Sequence, residues 1–331
     1  MPNANYVEIS KKALKEYDLI DYEIEYIGHS GNVIYRVNET DSAKKFSLRI
    51  HESRSQGFEE IWSTKESIHS EVTWLDALSE ASDIVVPKPI YNQNNNLITE
   101  VNHCDKVMYC TLLTWVDGEQ KPYVPTAEDA GKVGTMIGKL HFESSKWIVP
   151  YGFSRPTFDE HKLDKSLERI QIAIENGTLI KSGETLILAG QKAKNIIINL
   201  EKTNINWGVI HADLIPSNYI FHNDKVSPID FGACGFGFYL FDLGWTFSYI
   251  HPSFRETLLK CYLNVFPLPS NYESLLETFF IAGQLDTLGF WLGMPDSNEW
   301  LEGHINSLVS REFSRYLSNK SFLYTGTPYW E

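Results

Sequence analysis

A short segment in the second half of the chain groups side chains that can transfer protons and bind a metal ion. His211-Ala-Asp213 is followed, after four intervening residues, by Asn218, and Asp230 stands directly before a Phe-Gly pair. Polar side chains set between apolar runs such as WGVI and YIF are costly unless they form hydrogen bonds, bind a ligand or react. The segment is therefore the first candidate for a reactive site.

The spacing of these residues predicts phosphoryl transfer, because kinase-type phosphotransferases use HxDxxxxN and then DFG in this order. Transfer from ATP needs a carboxylate that receives the proton of the acceptor hydroxyl, and Mg²⁺ that holds the phosphate oxygens. Asp213 suits the first role, and Asn218 and Asp230 supply oxygen ligands of the kind Mg²⁺ prefers. The alternative interpretation is structural: Asp213 and Asn218 cap a turn, and His211 is a satisfied core histidine.

Three features of the N-terminal third add nucleotide-binding chemistry. The segment from Gly28 to Asn32 lies in a predicted hairpin, where backbone N–H groups could close over phosphates, although a plain glycine turn is the alternative. Arg49 lies on the next strand, where protein kinases place a phosphate-binding Lys. Glu71 lies on the following helix and can pair with that cation. Each of these features is common in proteins when it occurs alone. Their order along the chain, a turn, then a cation on a strand, then a carboxylate on a helix, predicts a nucleotide-binding site.

The elements that must position these residues are of two kinds, which predicts an α+β protein. The first third has apolar residues alternating with polar ones, as strands require, and one helix with Ile68, Val72, Leu75 and Leu78 on one stripe. After residue 125 the pattern becomes helical, beginning with a helix start at Thr126. The predicted elements are a hairpin over 22–39, a strand over 44–51, a helix over 61–79, strands over 96–101 and 107–116, helices over 126–141, 162–176 and 184–201, a strand–loop–strand block over 208–231, and helices to about 318.

Composition limits the classes of partner. The 331 residues are 43% hydrophobic, and 43 acidic against 29 basic residues give a formal net charge of −14. This charge argues against nucleic acid or an anionic membrane as a partner, since both require clustered Lys and Arg; it fits a cationic substrate or a solubilising surface. The four cysteines show no paired spacing, and no signal-peptide or membrane-length apolar run is visible, so a cytoplasmic location is expected.

Beyond these patterns, the motifs IHADLIPSNYIF, PIDFGACGFG and YLFDLGW resemble those of the aminoglycoside/choline-kinase-like phosphotransferases. Within that family, YGFSRPTFD, EVTWLDAL and LDTLGFWLGM are similar to the RdoA-type and homoserine-kinase-like branch. The resemblance implies a bilobal protein-kinase-like fold with ATP and Mg²⁺ as cofactors. It divides the chain into an N-terminal nucleotide-binding lobe over 1–113, a hinge over 114–118, and a mainly helical catalytic lobe over 119–331.

The resemblance also implies roles for single residues. Asp213 would be the catalytic base, with Asn218 and Asp230 as metal ligands. Asp242 and His211 would brace the catalytic loop, although a helix N-cap also fits Asp242, and His141 would be structural. The hinge backbone would contact the adenine edge. The implied ATP-binding residues are Ser30, Gly31, Asn32, Arg49, Glu71, Thr114, Trp115 and Val116.

Three positions depart from the family pattern. Ala212 replaces the usual Gly, which a negative φ would tolerate. Ile215 stands where relatives often have His, so one polar contact is missing. Arg49 replaces Lys, and its planar guanidinium binds oxygens in a fork that an ammonium cannot reproduce. We expect Arg49 to be functional with a different phosphate geometry.

The acceptor is open to more than one interpretation. Acidic and aromatic residues after residue 284 would suit an amine-bearing alcohol through charge pairing and cation–π contact, although an aromatic run at helical spacing is usually core. The candidate acceptors are an amino alcohol, a homoserine-like amino acid or an aminoglycoside. The alternatives are a Ser/Thr protein kinase of the RdoA type and a non-catalytic nucleotide-binding pseudo-kinase. The candidate acceptor residues are Asp286, Trp291, Asp296 and Glu299.

Overall fold

The structure, a computed structural model, describes residues 4–29, 31–52, 64–81, 83–179, 182–292 and 298–325, apart from the side chains of residues 298 and 299. The chain forms two units. The first comprises residues 1–118, 148–155 and 229–233, and the second comprises 119–147, 156–228 and 234–331. The sequence predicts 148–155 and 229–233 in the second part. They belong to the first because side chains of the first unit form hydrogen bonds and ion pairs with them.

The first unit is built on a five-stranded antiparallel sheet, as the alternating pattern predicts. The predicted hairpin forms its first two strands, and the three later strand predictions are also confirmed. The order across the sheet is β1-β2-β3-β5-β4. The strands are β1 (Tyr22–His29), β2 (Val33–Glu39), β3 (Lys45–His51), β4 (Thr99–His103) and β5 (Lys106–Thr114).

Two helices pack on this sheet. Helix α1 (Ala4–Leu14) has no counterpart among the sequence predictions and buries Ile9 and Leu14 in a core shared with β2 and β3. Helix α2 (Lys65–Ala81) corresponds to the helix predicted over 61–79. Because side chains alternate along β3, Leu48 and Ile50 join the apolar core while Arg49 leaves the other face and meets α2.

The second unit is mainly helical, as predicted. Its first helix begins at the predicted position, where the Thr126 side chain accepts a hydrogen bond from the Asp129 N–H at 3.0 Å. A π-helical turn over Val309–Phe313 precedes the last helix. The helices are α3 (Ala127–Lys146), α4 (Glu160–Glu175), α5 (Gly183–Ile197), α6 (Tyr239–Phe247), α7 (Pro252–Leu263), α8 (Tyr272–Trp291), α9 (Asn298–Leu308) and α10 (Ser314–Leu317).

Short strands of the second unit anchor the segment with the reactive residues. They form two three-stranded sheets in the orders β10-β9-β6 and β7-β11-β8. Buried Ile210 ends one strand before the segment, and buried Tyr219 begins the strand after it. The strands are β6 (Glu119–Gln120), β7 (Thr157–Phe158), β8 (Trp207–Ile210), β9 (Tyr219–His222), β10 (Lys225–Pro228) and β11 (Gly235–Phe238).

Helices α3 and α7 pack at very short range because glycines line their contact. A Cβ placed on Gly134 would lie 2.1 Å from the carbonyl oxygen of Leu258, and one on Gly138 would lie 3.1 Å from that of Tyr262. This contact fixes α3, which carries His141. None of the helices among the described residues combines the length and the apolar character needed to cross a membrane.

Candidate active site

The loop over 211–218 connects β8 to β9, and its first residues are held by a buried carboxylate. The backbone N–H of His211 donates to Asp242 Oδ2 at 2.9 Å, and that of Ala212 donates to Asp242 Oδ1 at 2.7 Å. Asp242 lies in the first turn of α6 and is fully buried. Because both carboxylate oxygens bind the loop, Asp242 braces the loop rather than capping its own helix.

A second buried contact supports Asp242. His141 Nε2 lies 3.1 Å from Asp242 Oδ2, and His141 Nδ1 lies 2.8 Å from the Tyr262 hydroxyl. Burial raises the pKa of Tyr262, so its hydroxyl keeps the proton. This geometry fits an imidazole that accepts from Tyr262 at Nδ1 and donates from Nε2 to Asp242. The network thereby connects α3, α6 and α7 to the loop.

Asp213 and Asn218 hold each other within the loop. The Asn218 side-chain NH₂ donates to the Asp213 carbonyl oxygen and to Asp213 Oδ2, both at 2.9 Å. Asp213 is partly exposed, whereas Asn218 is buried. His211 Nδ1 accepts from the Asp213 N–H at 3.3 Å. The Asp213 carboxylate is therefore oriented yet accessible, and fixing the amide nitrogen leaves Asn218 Oδ1 as the oxygen that can face a cation.

The backbone at Ala212 does not meet the condition under which alanine would replace glycine without strain. Its φ is +64°, in the left-handed region, rather than negative. This conformation directs the Ala212 N–H to Asp242, and the family's usual Gly would adopt it without the steric cost of a Cβ. Asp230 also has a positive φ, of +61°. Both reactive segments thus contain one non-glycine residue in this strained conformation.

In the first unit, Arg49 bridges two carboxylates. Its Nη1 lies 2.5 Å from Glu71 Oε1, and its Nη2 lies 2.6 Å from Asp230 Oδ1. The Arg49 and Glu71 side chains are 5% and 2% exposed, whereas Asp230 is 41% exposed. The pairing of Arg49 with Glu71 follows the order noted in the sequence. The bond to Asp230 uses the second arm of the guanidinium, which a Lys would lack.

Arg155, which was not predicted from the sequence, also contacts α2 and the DFG segment. Its Nη1 donates to Ser67 Oγ at 2.8 Å and to the Ser67 carbonyl oxygen at 3.2 Å. Its Nη2 donates to the carbonyl oxygen of Gly232. Arg155 belongs to the YGFSRP motif, and the similarity of that motif to relatives was the one feature of the sequence that could have indicated it. No local pattern indicates partners 77 and 88 residues away.

The expected nucleotide-binding turn and hinge are partly described. Ser30 lies outside the described residues. No atom of the described residues, chain neighbours aside, lies within 4 Å of where a Cβ on Gly31 would project, and Asn32 is buried. In the hinge, the Thr114 N–H donates to Lys88 and the Trp115 N–H donates to Lys45, at 2.8 and 2.9 Å. Within the described parts of the chain, the Val116 N–H has no hydrogen-bond acceptor.

Of the four candidate acceptor residues, the structure describes the side chains of Asp286 and Trp291, which have different neighbours. Asp286 Oδ1 lies 3.1 Å from both Lys162 Nζ and Ser166 Oγ, so α4 engages its carboxylate. Trp291 is 37% exposed and packs edge-to-face against Trp300 at 5.5 Å between ring centroids. Asp296 and the side chain of Glu299 lie outside the described residues.

Trp291 and Trp300 line a cavity of about 430 Å³ in the second unit. Among described residues its lining contains no carboxylate, and burial together with the nearby Arg311 charge lowers the pKa of His304. The buried Trp245 indole N–H has no acceptor among the described residues. The aromatic lining residues are Trp245, Tyr249, Trp291, Trp300 and His304; the polar ones are Ser248, Gln284, Thr287 and Ser307.

Comparison with known proteins identifies the family to which the chain belongs. The model of the phosphotransferase enzyme family APH matches residues 24–275. A solved structure of a microcompartment-associated aminopropanol kinase is similar at 25% identity and a TM-score of 0.79, covering 96% of this chain and 100% of that chain. No curated protein matches.

Two further solved structures share the fold. An amicoumacin kinase in complex with AMP-PNP, Ca²⁺ and Ami has 16% identity and a TM-score of 0.74, covering 96% of this chain and 94% of that chain. A choline kinase from Cryptosporidium parvum Iowa II has 14% identity and a TM-score of 0.66, covering 96% and 98%. The family match spans most of the chain and agrees with the kinase-like fold. The chain therefore belongs to the phosphotransferase enzyme family and is a kinase whose acceptor is an alcohol group.

Proposed function

We propose that this protein transfers the γ-phosphate of ATP to a hydroxyl group of a small molecule, with Asp213 as the base that receives the hydroxyl proton. The observation that carries the proposal is that the Asp213 carboxylate is both accessible and oriented. It is partly exposed, and the Asn218 side-chain NH₂ donates to its Oδ2 at 2.9 Å. A base must be oriented toward the proton that it receives. The buried Asp242 supplies the rigid support that such orientation requires.

The first unit supplies the nucleotide-binding groups. Glu71 fixes one arm of Arg49, which places a permanently charged guanidinium on β3 for phosphate oxygens. The Thr114 and Trp115 N–H groups are used by the sheet and its neighbouring segment, which leaves Val116 N–H as the donor for the adenine edge. Gly31 and Asn32 stand at the turn that would cover the phosphates.

The donor set fits Mg²⁺. Asn218 Oδ1 is oriented by the two hydrogen bonds of its own NH₂, and Asp230 keeps an exposed carboxylate beside its single bond to Arg49. Hard cations prefer such oxygen ligands, and Mg²⁺ is commonly bound by one or two protein groups plus phosphate oxygens. When bound, Mg²⁺ would neutralise negative charge on the phosphates. Asn218 and Asp230 are the residues that would hold it.

The cavity beside α6 supports a small-molecule acceptor. Helix α6 carries Trp245 in the cavity wall and Thr246, whose hydroxyl donates to the loop at the Leu214 carbonyl oxygen at 3.2 Å. A volume of about 430 Å³ suits a small molecule. The faces of the indole rings in its lining attract an alkylammonium group. We infer an amino-alcohol acceptor, in line with the aminopropanol kinase similarity. The cavity favours this over the protein-kinase alternative.

Phosphotransfer with Asp213→Asn tests the assignment of the base. Transfer from Mg·ATP should fall by about 10²–10⁴-fold, the usual contribution of a general base. Nucleotide affinity measured by calorimetry should stay near the wild-type value, because the base does not contact ATP. Asp224→Asn, at a side chain that is 98% exposed, is the matched control and should retain full activity. Transfer undiminished in Asp213→Asn would refute the role of Asp213.

An acceptor panel tests the substrate class. Amino alcohols should be phosphorylated with a lower KM than alcohols of equal length that lack the amine, because only the former gain cation–π contact. Trp291→Leu should raise KM for the amino alcohol and leave KM for ATP unchanged. Phosphate transfer to a protein such as casein, with none to any alcohol, would favour the RdoA-type alternative. Failure to bind Mg·ATP at all would favour the pseudo-kinase alternative.

A further inference from the structure

Two arginines connect the same two elements of the first unit. Arg49 joins Glu71 of α2 to Asp230, and Arg155 joins Ser67 of α2 to Gly232. Ser67 and Glu71 are four residues apart, so they lie next to each other on one face of the helix. Their partners are two residues apart in the DFG segment. The arginine bridges therefore run side by side, one helical turn apart.

The neighbouring residue strengthens the second bridge. The Ser154 N–H donates to Ser70 Oγ at 2.8 Å, and Ser70 Oγ donates to the Glu66 carbonyl oxygen at 2.9 Å. Ser67 and Ser70 are both buried, although serine is a mediocre helix former. Their hydroxyls accept hydrogen bonds from Arg155 and Ser154, which explains serine at both positions. The segment over 148–155 is thus bound along α2 by two consecutive residues.

The DFG segment requires such support because its backbone is strained. Asp230 has a φ of +61°, a conformation that costs a non-glycine residue free energy and persists only where surrounding contacts enforce it. Arg49 holds the Asp230 side chain, Phe231 is fully buried, and Arg155 holds the Gly232 carbonyl. The three contacts act on three consecutive residues. Arg155 fixes the end of the segment that Arg49 does not reach.

We infer that Arg155 is a positioning residue, which together with Arg49 clamps residues 230–232 to α2 and so fixes the Asp230 carboxylate in its metal-binding orientation. The part concerning the metal rests on the proposed function. The clamp itself does not, because its bonds lie wholly within the protein. A guanidinium is required at position 155, since two separate nitrogens donate to different partners, Nη1 to Ser67 and Nη2 to Gly232. A lysine carries all its donors on one nitrogen, which cannot occupy both positions.

Hydrogen–deuterium exchange on the metal-free protein tests the clamp. Arg155→Lys should increase exchange at amides within residues 229–233 and in the first turns of α2, with exchange in α4 and α8 unchanged. Ser67→Ala removes one acceptor of the same bridge and should give a smaller increase at the same amides. Arg169→Lys is the matched control, because Arg169 donates to the Gly289 carbonyl at 3.3 Å in the second unit. Exchange at 229–233 that remains at the wild-type level in Arg155→Lys would overturn the clamp.

Manganese binding followed by electron paramagnetic resonance, with AMP-PNP present, provides the second measurement. Arg155→Lys should weaken Mn²⁺ binding by about tenfold, the scale on which groups that orient metal ligands act. In an Asp230→Asn background the same change should cause no further loss, because the carboxylate it positions is gone. An equal loss of Mn²⁺ affinity on Arg155→Lys in the wild type and in Asp230→Asn would overturn the positioning role. If Asp230→Asn alone binds Mn²⁺ as tightly as the wild type, Asp230 is not a metal ligand. The hydrogen–deuterium exchange result would still decide whether the clamp exists.

Discussion

Ala212 and Asp230 adopt backbone conformations that are unfavourable for non-glycine residues but that the geometry of the site requires. Each adopts a positive φ, and each is held by charged or hydrogen-bonded partners. At Ala212 the conformation serves to direct a backbone N–H to Asp242. A side chain is not needed for that bond, so the Cβ contributes only steric strain.

Ala212→Gly should therefore raise the free energy of unfolding. The left-handed conformation costs an alanine about 1–2 kcal/mol, while the greater entropy of an unfolded glycine offsets about 0.5–1 kcal/mol, which leaves a gain of about 0.5–1 kcal/mol. Urea denaturation measures the change. The matched control is Ala173→Gly in the interior of α4, which should lose about 1 kcal/mol. Equal destabilisation at both positions would show that φ at Ala212 is not strained.

At the same scale, order along the chain predicted some partners and not others. The pairing of Arg49 with Glu71 could be anticipated because a strand and the following helix bring them together. The bond from Arg49 to Asp230 joins residues 181 positions apart, and no local pattern encodes it. Asp286 illustrates the same limit, since its carboxylate is engaged by Lys162 and Ser166 from another helix. Partners of charged side chains depend on tertiary packing, which periodicity does not specify.

At the scale of elements, the long periodic segments were predictable and the short ones were not. Helices α4 and α5 form within two to four residues of their predicted bounds, because an amphipathic stripe is repeated over several turns. Strands β6 and β7 have two residues each, too few for any alternation to register. Helix α1 went unpredicted although Ile9, Ala13 and Leu14 are buried on one side of it.

The contact between α3 and α7 gives a prediction at this scale. Gly134→Ala should destabilise the protein by about 3 kcal/mol or more, because its Cβ would overlap the Leu258 carbonyl oxygen and separate the helices. Gly303→Ala in α9 is the matched control, since no described atom outside its own helix backbone and chain neighbours would lie within 4 Å of the new Cβ. This variant should gain about 0.4–1 kcal/mol of stability. Thermal unfolding followed by circular dichroism compares them. Similar midpoints for the two variants would contradict the close helix contact.

The whole molecule combines a surface of net charge −14 with a proposed ligand that is itself an anion. Under the proposed function, repulsion between protein and nucleotide would be overcome locally by Arg49 and by the metal rather than by the overall field. Metal-free ATP and Mg·ATP should consequently differ in their effect on stability. Ligand that binds only the folded state stabilises it by mass action.

The melting temperature measures this difference for the complete chain. Mg·AMP-PNP at a hundred times its dissociation constant should add about 2.7 kcal/mol, and for 331 residues this corresponds to a rise of about 4 °C. AMP-PNP with EDTA should give a much smaller rise at the same concentration. Asp230→Asn should reduce the Mg²⁺-dependent part while keeping the metal-free part, because the substitution removes one metal ligand and leaves Arg49 in place. An equal rise with and without Mg²⁺ in the wild type would mean that the cation does not bridge Asp230 to the nucleotide.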